Sequence, residues 1–332
     1  MLRLPPFEYH RPVTVGEAAG LLDELGASAM LIAGGTDVIP NMKHRLHEPA
    51  HLVSLRRIEA LRGIEVEDDT LVLGAGATLA EVADHPLVRT HVPALAAAAG
   101  QVAGPQLRSM GTLGGNLCLD TRCTYYNQSY FWRRSLGFCL KKDGDTCHVT
   151  GVGTKCVAAH SADTPPVLWV LGARAELVSV AGERTVPVEE LFVADGIHNT
   201  VLEPGEIVTR VRVPLPSAGV RMAFRKLRPR SSIDFPVLNL AVSAELEGGR
   251  IRGVRLVVSG LGSRPREVTG LEELEGASLD DEAVEAIALQ AHKQCRPLTN
   301  SIVDPEWRRA MVPVYVRRAL DELSASARAR AS

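Results

Sequence analysis

The sequence of 332 residues has few aromatic side chains, no long apolar run and no excess of basic charge. Aromatic residues make up 4% of the chain, and the formal net charge is −2 at pH 7. A nucleic-acid-binding protein would show clustered basic residues and a high pI, so this class is disfavoured. No apolar stretch has the length of a transmembrane helix, and no secretory h-region follows Met1. We therefore expect a cytoplasmic protein that binds neither nucleic acid nor membrane.

Cysteine is also scarce, and its distribution along the chain is uneven. Five of the six cysteines lie between residues 118 and 156, and Cys295 stands alone. Disulfide frameworks are typical of short secreted chains, whereas clustered cysteines in a cytosolic chain more often bind metal or carry out redox chemistry. The cluster therefore predicts a metal or redox centre.

Helix and strand patterns alternate before residue 118 and again after residue 158. Thr14 is a plausible N-cap for a helix at Val15–Leu25, and Thr78 with Glu81 forms a capping-box pattern. The proline- and glycine-containing stretch at 214–219 predicts a domain boundary. Beyond it, the patterns predict a three-stranded antiparallel sheet and two helices, at Met222–Leu227, Val237–Leu246, Ile251–Gly260, Leu279–Cys295 and Trp307–Ala327.

The segment 118–158 has little periodicity but is rich in aromatic residues. It contains six of them, although the whole chain has only three tryptophans, five tyrosines and six phenylalanines. Disordered segments lack groups that can be buried, and an ordered irregular stretch of this length is commonly functional. We therefore expect an ordered insert that is held together by an internal staple.

Four cysteines could form that staple. Cys123, Cys139, Cys147 and Cys156 are separated by 15, 7 and 8 residues. Four thiolates can bind either a cubane iron–sulfur cluster or one zinc ion. Neither the tight cysteine pairs of structural zinc sites nor the C-x2-C-x2-C run of bacterial ferredoxins is present, so the spacing leaves both open. Cys118 could replace Cys123, or it could be a small buried apolar residue.

Two glycine-rich stretches could approach a phosphate group with their backbone amides. The first is Ala33–Asp37, which follows a predicted strand, and the second is Gly111–Asn116. Neither matches a dinucleotide fingerprint or a P-loop, and each could be a strand-to-helix turn. Two such loops in one domain favour a dinucleotide site.

Other motifs are weaker. His44, His47 and His51 have helical spacing, but Pro49 breaks the expected helix, so a metal site there is disfavoured. The chain has no recognisable nucleophile motif such as G-x-S-x-G. Binding loops without an obvious acid, base or nucleophile favour a protein that moves electrons.

The sequence resembles the FAD-binding medium subunits of the molybdenum hydroxylase (xanthine oxidase) family. The matching residues are Leu31–Val38, Ser109–Leu117 and Ser161–Asp163, and the resemblance runs from about residue 7 to about residue 325. Within that family, Asn116–Val149 is similar to the insert of 4-hydroxybenzoyl-CoA reductase beta subunits, which carries a four-iron ([4Fe–4S]) cluster. Ile233–Pro236 is similar to the same subunits.

The resemblance implies an α+β fold with a two-part FAD-binding domain at 1–217, divided at about residue 57 and carrying the iron–sulfur insert at about 118–158. A C-terminal domain at 218–332 would hold a three-stranded sheet and helices. The four-iron cluster would be bound by Cys123, Cys139, Cys147 and Cys156. Val102 and Pro236 stand where xanthine oxidases have an aromatic residue and a lysine near the flavin, which argues against flavin–NAD chemistry. The implied FAD contacts are Leu31, Ile32, Ala33, Gly34, Gly35, Thr36, Asp37, Val38, Val102, Thr112, Gly115, Asn116, Asp163, Val208 and Lys226.

In function, the resemblance implies the electron-transfer subunit of a molybdenum-containing 4-hydroxybenzoyl-CoA reductase. It would pass electrons from ferredoxin through the four-iron cluster and FAD to two partners, a molybdenum-cofactor subunit and a [2Fe–2S] subunit, in a dimer of heterotrimers. The alternatives are the same subunit type in a molybdenum aldehyde or purine dehydrogenase, or a zinc-stapled flavin-binding protein. Arg122, Arg133, Arg134, Lys141 and Lys142 on the insert could form a mildly basic rim that steers an acidic carrier, or they could be an ordinary solvated surface.

Overall fold

The computed structural model describes residues 2–331, with side chains through residue 324. The first sheet is small and parallel, and its strand order is β1-β3-β2. Helix α1 follows β1, and Thr14 caps it by accepting a hydrogen bond from Glu17 N, as the sequence predicts. Since parallel strands end at one edge of a sheet, the first glycine loop leaves that edge between β2 and α2. The elements are β1 (Glu8–His10), α1 (Val15–Leu25), β2 (Ala29–Ile32), α2 (Val38–Lys43) and β3 (His51–Ser54).

The second sheet has five antiparallel strands in the order β4-β5-β8-β6-β7. Its strands are β4 (Ile64–Glu67), β5 (Thr70–Gly74), β6 (Arg174–Ser179), β7 (Gly182–Pro187) and β8 (Ile207–Pro214). The predicted capping box is present, because Thr78 and Glu81 exchange hydrogen bonds at the start of α3. The helices in this part of the chain are α3 (Leu79–Asp84), α4 (Pro86–His91), α5 (Pro93–Gly100), α6 (Pro105–Arg108), α7 (Leu113–Leu117), α8 (Tyr130–Ser135), α9 (Pro165–Val170) and α10 (Val188–Leu191).

The third sheet is antiparallel, with the order β12-β11-β10-β9. Its three long strands match the predicted ones, and a two-residue strand that is too short to give a sequence pattern adds a fourth. Helices α11 and α12 pack their apolar residues against this sheet in one buried cluster. The elements are β9 (Val220–Leu227), β10 (Leu238–Glu247), β11 (Arg250–Ser259), β12 (Arg266–Glu267), α11 (Asp281–Gln294) and α12 (Pro305–Ala331).

The predicted α+β architecture is present: two sheets with their helices are followed by a C-terminal antiparallel sheet that packs against α11 and α12. The boundaries near residues 57 and 217 remain predictions. The described residues also form short 3-10 helices at Gly26–Ser28, Glu59–Leu61 and Glu272–Leu274. In the part of the chain that the structure describes, no helix is both long and apolar enough to cross a membrane.

Candidate functional site

A cavity of about 670 Å³ lies where the two glycine loops meet the C-terminal domain. Its wall includes residues of both loops, Asp163 and β9. That volume is within the range of cofactor pockets. The predicted flavin contacts converge on it: all of them line the cavity except Ile32, whose side chain packs in the core beneath the first loop.

The first glycine loop is in direct contact with the segment before the second. A Cβ on Gly34 would overlap the carbonyl oxygen of Met110, so only glycine fits there. Gly35 has a φ of +71°, which also favours glycine. Asp37 ends the loop at the start of α2, where its carboxylate accepts hydrogen bonds from Asn41 Nδ2 (3.0 Å) and from Arg122. The sequence therefore folds into a backbone cradle that can approach a diphosphate.

The second loop is fixed by its own side chains. Thr112 caps α7, its hydroxyl accepting a hydrogen bond from Gly115 N at 3.1 Å. Asn116 Oδ1 accepts from the Thr164 backbone N at 3.1 Å and hydroxyl at 2.7 Å, which anchors the loop to the start of α9. A Cβ on Gly114 would lie 2.8 Å from Ala75 Cβ, so the loop packs tightly against the end of β5.

A buried ion pair forms the inner wall of the cavity. Lys226 Nζ donates to Asp163 Oδ2 at 2.7 Å and to Gln101 O at 3.0 Å, and Asn239 Nδ2 donates to Asp163 Oδ1 at 2.9 Å. Burial raises the pKa of Asp163 and lowers that of Lys226, while their mutual attraction opposes both shifts. Both Asp163 oxygens already have partners within the protein, so its expected contact with the ribose or nearby polar atoms remains a prediction.

Two residues that the sequence reasoning did not assign to the flavin site also line this cavity. Arg122 has its guanidinium 4.4 Å from the centre of the Phe235 ring and is paired with Asp37. Burial lowers the pKa of Arg122 to about 10. Phe235 belongs to Ile233–Pro236, a stretch that resembles the reductase beta subunits but was given no role in the flavin site. No local sequence pattern predicts that Phe235 lies near the insert.

The four candidate cysteines of the insert surround a second, small cavity. Cys139, Cys147 and Cys156 are buried and Cys123 is partly buried, with Tyr125, Tyr126 and Leu140 among the other wall residues. Cys118, the alternative fourth ligand, instead lines the flavin-sized cavity. The structure thus brings together the set with the 15-7-8 spacing.

The spacing of the sulfur atoms bears on the choice between zinc and a cluster. Four thiolates on one zinc ion, at about 2.3 Å each, would have their sulfurs about 3.8 Å apart. Across the described residues, the only three potential ligand groups whose atoms lie within 4.8 Å of one another are Glu8, His10 and His51. No three of the cysteine sulfurs form such a group, and four thiolates around one pocket can hold either a zinc ion or a cubane cluster.

The surroundings raise the pKa of two of the cysteine thiols and lower that of a third. Burial raises the pKa of Cys123 to about 11 and raises that of Cys156. Burial also acts to raise the pKa of Cys147, but hydrogen bonds from the side chain and backbone of Thr150, with others from the backbone, outweigh it and lower the pKa. The nearby Lys141 ammonium favours the Cys156 thiolate.

Three of the five cations in the predicted basic rim are paired within the protein, Arg133 being buried and Arg122 and Lys141 partly buried. Arg122 bonds to Asp37, Lys141 Nζ lies 2.6 Å from Asp120 Oδ1, and Arg133 donates to the carbonyls of His44 and Arg45. Arg122 and Arg133 thereby join the insert to the segment 37–45, whereas Lys141 bonds to Asp120, Thr121 and Gly196. Among the rim residues, Arg134 is exposed, and Lys142 is partly exposed like Arg122 and Lys141.

The chain is similar to known protein families and proteins over almost its whole length. Residues 5–216 match the family described as "FAD binding domain in molybdopterin dehydrogenase", and residues 222–323 match "CO dehydrogenase flavoprotein C-terminal domain". The carbon monoxide dehydrogenase medium chain of Hydrogenophaga pseudoflava is 32% identical over 319 residues, with 96% of each chain covered. The putative xanthine dehydrogenase FAD-binding subunit of Escherichia coli K12 is 27% identical, again with 96% of each covered.

Solved structures are similar over nearly the whole chain. The carbon monoxide dehydrogenase from Hydrogenophaga pseudoflava that lacks the Mo-pyranopterin moiety of its cofactor gives a TM-score of 0.81 at 31% identity, covering 97% of this chain and 99% of that one. The cyanide-inactivated Cu,Mo-CO dehydrogenase gives 0.80 at 28% identity, with the same coverage.

Proposed function

The chain belongs to the family of FAD-binding medium subunits of molybdenum hydroxylases, and on that premise we propose that it is an electron-transfer subunit carrying both FAD and a four-iron cluster. The observation that carries the second half of this proposal is the convergence of Cys123, Cys139, Cys147 and Cys156 on one small cavity. The chain is thus an oxidoreductase subunit whose substrate chemistry takes place on another chain.

FAD would occupy the large cavity. The backbone amides of the first glycine loop would receive the diphosphate, and Thr112, Gly115 and Asn116 would contribute the opposite wall. The buried Asp163–Lys226 pair would present a fixed polar edge, and Val102 and Val208 would contribute apolar surface. When bound, FAD supplies a centre that exchanges either one or two electrons.

The four-iron cluster would supply a one-electron relay beside the flavin. Arg122 connects the two sites, because its side chain lies in the wall of the large cavity and its backbone precedes Cys123. Its peptide exchanges two hydrogen bonds with Ala159, at 2.8 and 2.6 Å, close to Cys156. These contacts fix the separation of the centres, which is the protein's part in electron transfer.

The preferred enzyme is a molybdenum-containing 4-hydroxybenzoyl-CoA reductase, in which electrons flow inward from ferredoxin to remove the phenolic hydroxyl group. The support is the insert: both its flanking sequence and its 15-7-8 cysteine spacing resemble those of that enzyme's beta subunit. The partners would be a molybdenum-cofactor subunit and a [2Fe–2S] subunit, assembled as a dimer of heterotrimers in the cytoplasm.

The second candidate is a molybdenum dehydrogenase in which electrons flow outward. It is favoured by the relatives, which include medium chains of carbon monoxide dehydrogenase, a nicotine 6-hydroxylase and a xanthine dehydrogenase, each aligned over at least 95% of this chain. This alternative retains both centres in the subunit and differs in the substrate and in the direction of transfer.

Metal and flavin analysis of the anaerobically purified complex tests the two centres. The holoenzyme would also hold the iron of its [2Fe–2S] subunit, so the measurement compares it with a Cys147→Ser complex. We expect the variant to lose about four irons and their labile sulfide per FAD, with FAD retained. A zinc ion in their place, and no difference in iron, would contradict the cluster and favour the zinc-stapled alternative.

Activity measurements on the same complex test the reaction. Reduced ferredoxin with 4-hydroxybenzoyl-CoA should yield benzoyl-CoA if the first candidate is correct. Reduction of the complex by carbon monoxide, a purine, an N-heterocycle or an aldehyde, with no dehydroxylation of 4-hydroxybenzoyl-CoA, would instead favour the second.

A further inference from the structure

Three metal-ligating side chains meet on one face of the first sheet, apart from both cofactor sites. Strands β1 and β3 are parallel neighbours, and Glu8 lies directly opposite His51. His10 shares a face with Glu8 because side chains two residues apart on a strand point the same way. His10 Nε2 lies 3.1 Å from His51 Nδ1, and Glu8 Oε2 lies 3.5 Å from the same nitrogen.

The two rings are within hydrogen-bond distance of each other, and the three atoms are also nearly as far apart as ligands of one metal ion. Zinc binds imidazole nitrogen at about 2.0–2.1 Å and carboxylate oxygen at about 2.0–2.2 Å in a tetrahedron, so its ligand atoms lie about 3.3–3.5 Å apart. All three atoms of this group lie within 4.8 Å of one another. The two rings are partly buried and Glu8 is exposed, which leaves a fourth position open to water.

We propose that Glu8, His10 and His51 bind one divalent first-row transition ion of the zinc class. Two imidazoles and one carboxylate suit zinc, cobalt or nickel, whereas magnesium and calcium prefer oxygen ligands alone. This site differs from the His44, His47 and His51 set that the sequence suggested. Only His51 is shared, and His47 instead faces Asp120, at 3.8 Å.

The ion would fasten the N-terminal strand to the sheet. β1 has only three residues, whereas β3 is the central strand. His51 pairs with Ala29 at the start of β2, while the flavin loop leaves the sheet after Ile32 at the other end. Loading the site should therefore stabilise the fold without changing the FAD content, and the proposal does not depend on the iron–sulfur assignment.

The test adds one equivalent of Zn²⁺ to the FAD-loaded complex at pH 7.5, where imidazoles are neutral and able to bind metal. Zinc K-edge absorption should show a nitrogen and oxygen shell with imidazole scattering, and the melting temperature should rise. His51→Ala should weaken zinc binding at least about tenfold, since even outer-shell partners of metal-binding histidines are worth about 10–100-fold.

His198→Ala is the matched control, because His198 is an exposed histidine outside the group, and it should bind zinc as the wild type does. Glu8→Gln provides a second variant whose folding is not in question, since Glu8 is exposed and its strand pairs through the backbone. Equal zinc affinity in the wild type, His51→Ala and Glu8→Gln would overturn the proposal. A sulfur shell around zinc in the wild type would also overturn it, by placing the ion at the cysteines.

Discussion

At the scale of single residues, the large cavity and the cysteine pocket each depend on a glycine, because another group occupies the space that a side chain would need. A Cβ on Gly34 would overlap Met110 O, and a Cβ on Gly196 would lie 2.6 Å from Cys156 Sγ. The Gly34 contact is with backbone, and a Cβ on Gly196 would also lie 2.8 Å from the backbone N of Ala158, so neither obstacle can simply rotate aside. Substitution of either glycine therefore moves the wall of one site, and the two changes should be separable.

Gly34→Ala should remove FAD and leave the iron–sulfur insert intact. The added methyl group pushes apart the two loops that form the flavin cradle, so we expect FAD affinity to fall at least about tenfold, or about 1.4 kcal/mol. Flavin content and iron content of the purified complex give the measurement. A variant that retains wild-type FAD affinity would show that the first loop does not hold the cofactor.

Gly196→Ala should have the opposite effect, because it displaces the sulfur of Cys156. The expected result is a loss of cluster iron, or an altered EPR spectrum of the reduced cluster, at unchanged FAD content. Gly20→Ala is the matched control, since a Cβ there meets nothing within 4 Å and alanine favours the helix α1 by about 0.5–1 kcal/mol. Wild-type spectra in the Gly196 variant would count against Cys156 as a ligand.

At the scale of elements, the segment between the insert and α9 joins the flavin domain to the C-terminal sheet. His160 N donates to Gly262 O at 2.8 Å, Gly260 N donates to His160 O at 3.0 Å, and Asn239 Nδ2 donates to Ala162 O at 3.1 Å. The His160 ring is fully buried and packs edge-on against Phe192 at 4.8 Å.

This buried ring should make the protein sensitive to acid. Burial lowers the pKa of His160 to about 3, whereas an unfolded histidine titrates near 6.5. Between these values the unfolded state binds more protons, so stability falls as the pH drops below about 6.5, by roughly 1 kcal/mol per unit. His160→Gln cannot be protonated there and should reduce the slope. Urea unfolding at pH 7.5 and 5.5 gives the measurement, and equal losses in both proteins would exclude His160 as the cause.

The features that the sequence predicts correctly are those that depend on residues close together in the chain. The Thr14 cap, the Thr78–Glu81 capping box and the three long C-terminal strands depend on neighbouring residues, and all are present. Phe235 reaches the flavin cavity through contacts between residues far apart in the chain, which no local pattern encodes. The same limit explains the basic rim, because Arg133 could not be known to be buried against the end of α2.

At the scale of the whole molecule, the C-terminal domain holds the insert at both of its ends. Asn300 O accepts a hydrogen bond from Thr124 N (3.0 Å), next to Cys123, and Asn300 Nδ2 donates to Val157 O (2.7 Å), next to Cys156. Arg308 on α12 is fully buried and donates to Asn300 Oδ1 (3.3 Å) and to the carbonyls of Val237, Leu298 and Gly260. The two cysteines nearest the ends of the insert, Cys123 and Cys156, are thus positioned from another domain.

Asn300→Ala removes the hydrogen bond to Val157 O and leaves Arg308 one acceptor short, so the ends of the insert should gain freedom. We expect slower electron transfer from the cluster to FAD and a broadened EPR spectrum of the reduced cluster, with FAD content unchanged. Asn300→Asp keeps an acceptor for Arg308 but loses the donor to Val157 O, so it isolates the contact beside Cys156. If the aspartate variant matches the wild type while the alanine variant does not, the Arg308 contact is the important one. Wild-type spectra and rates in both variants would show that the insert positions its cysteines without the C-terminal domain.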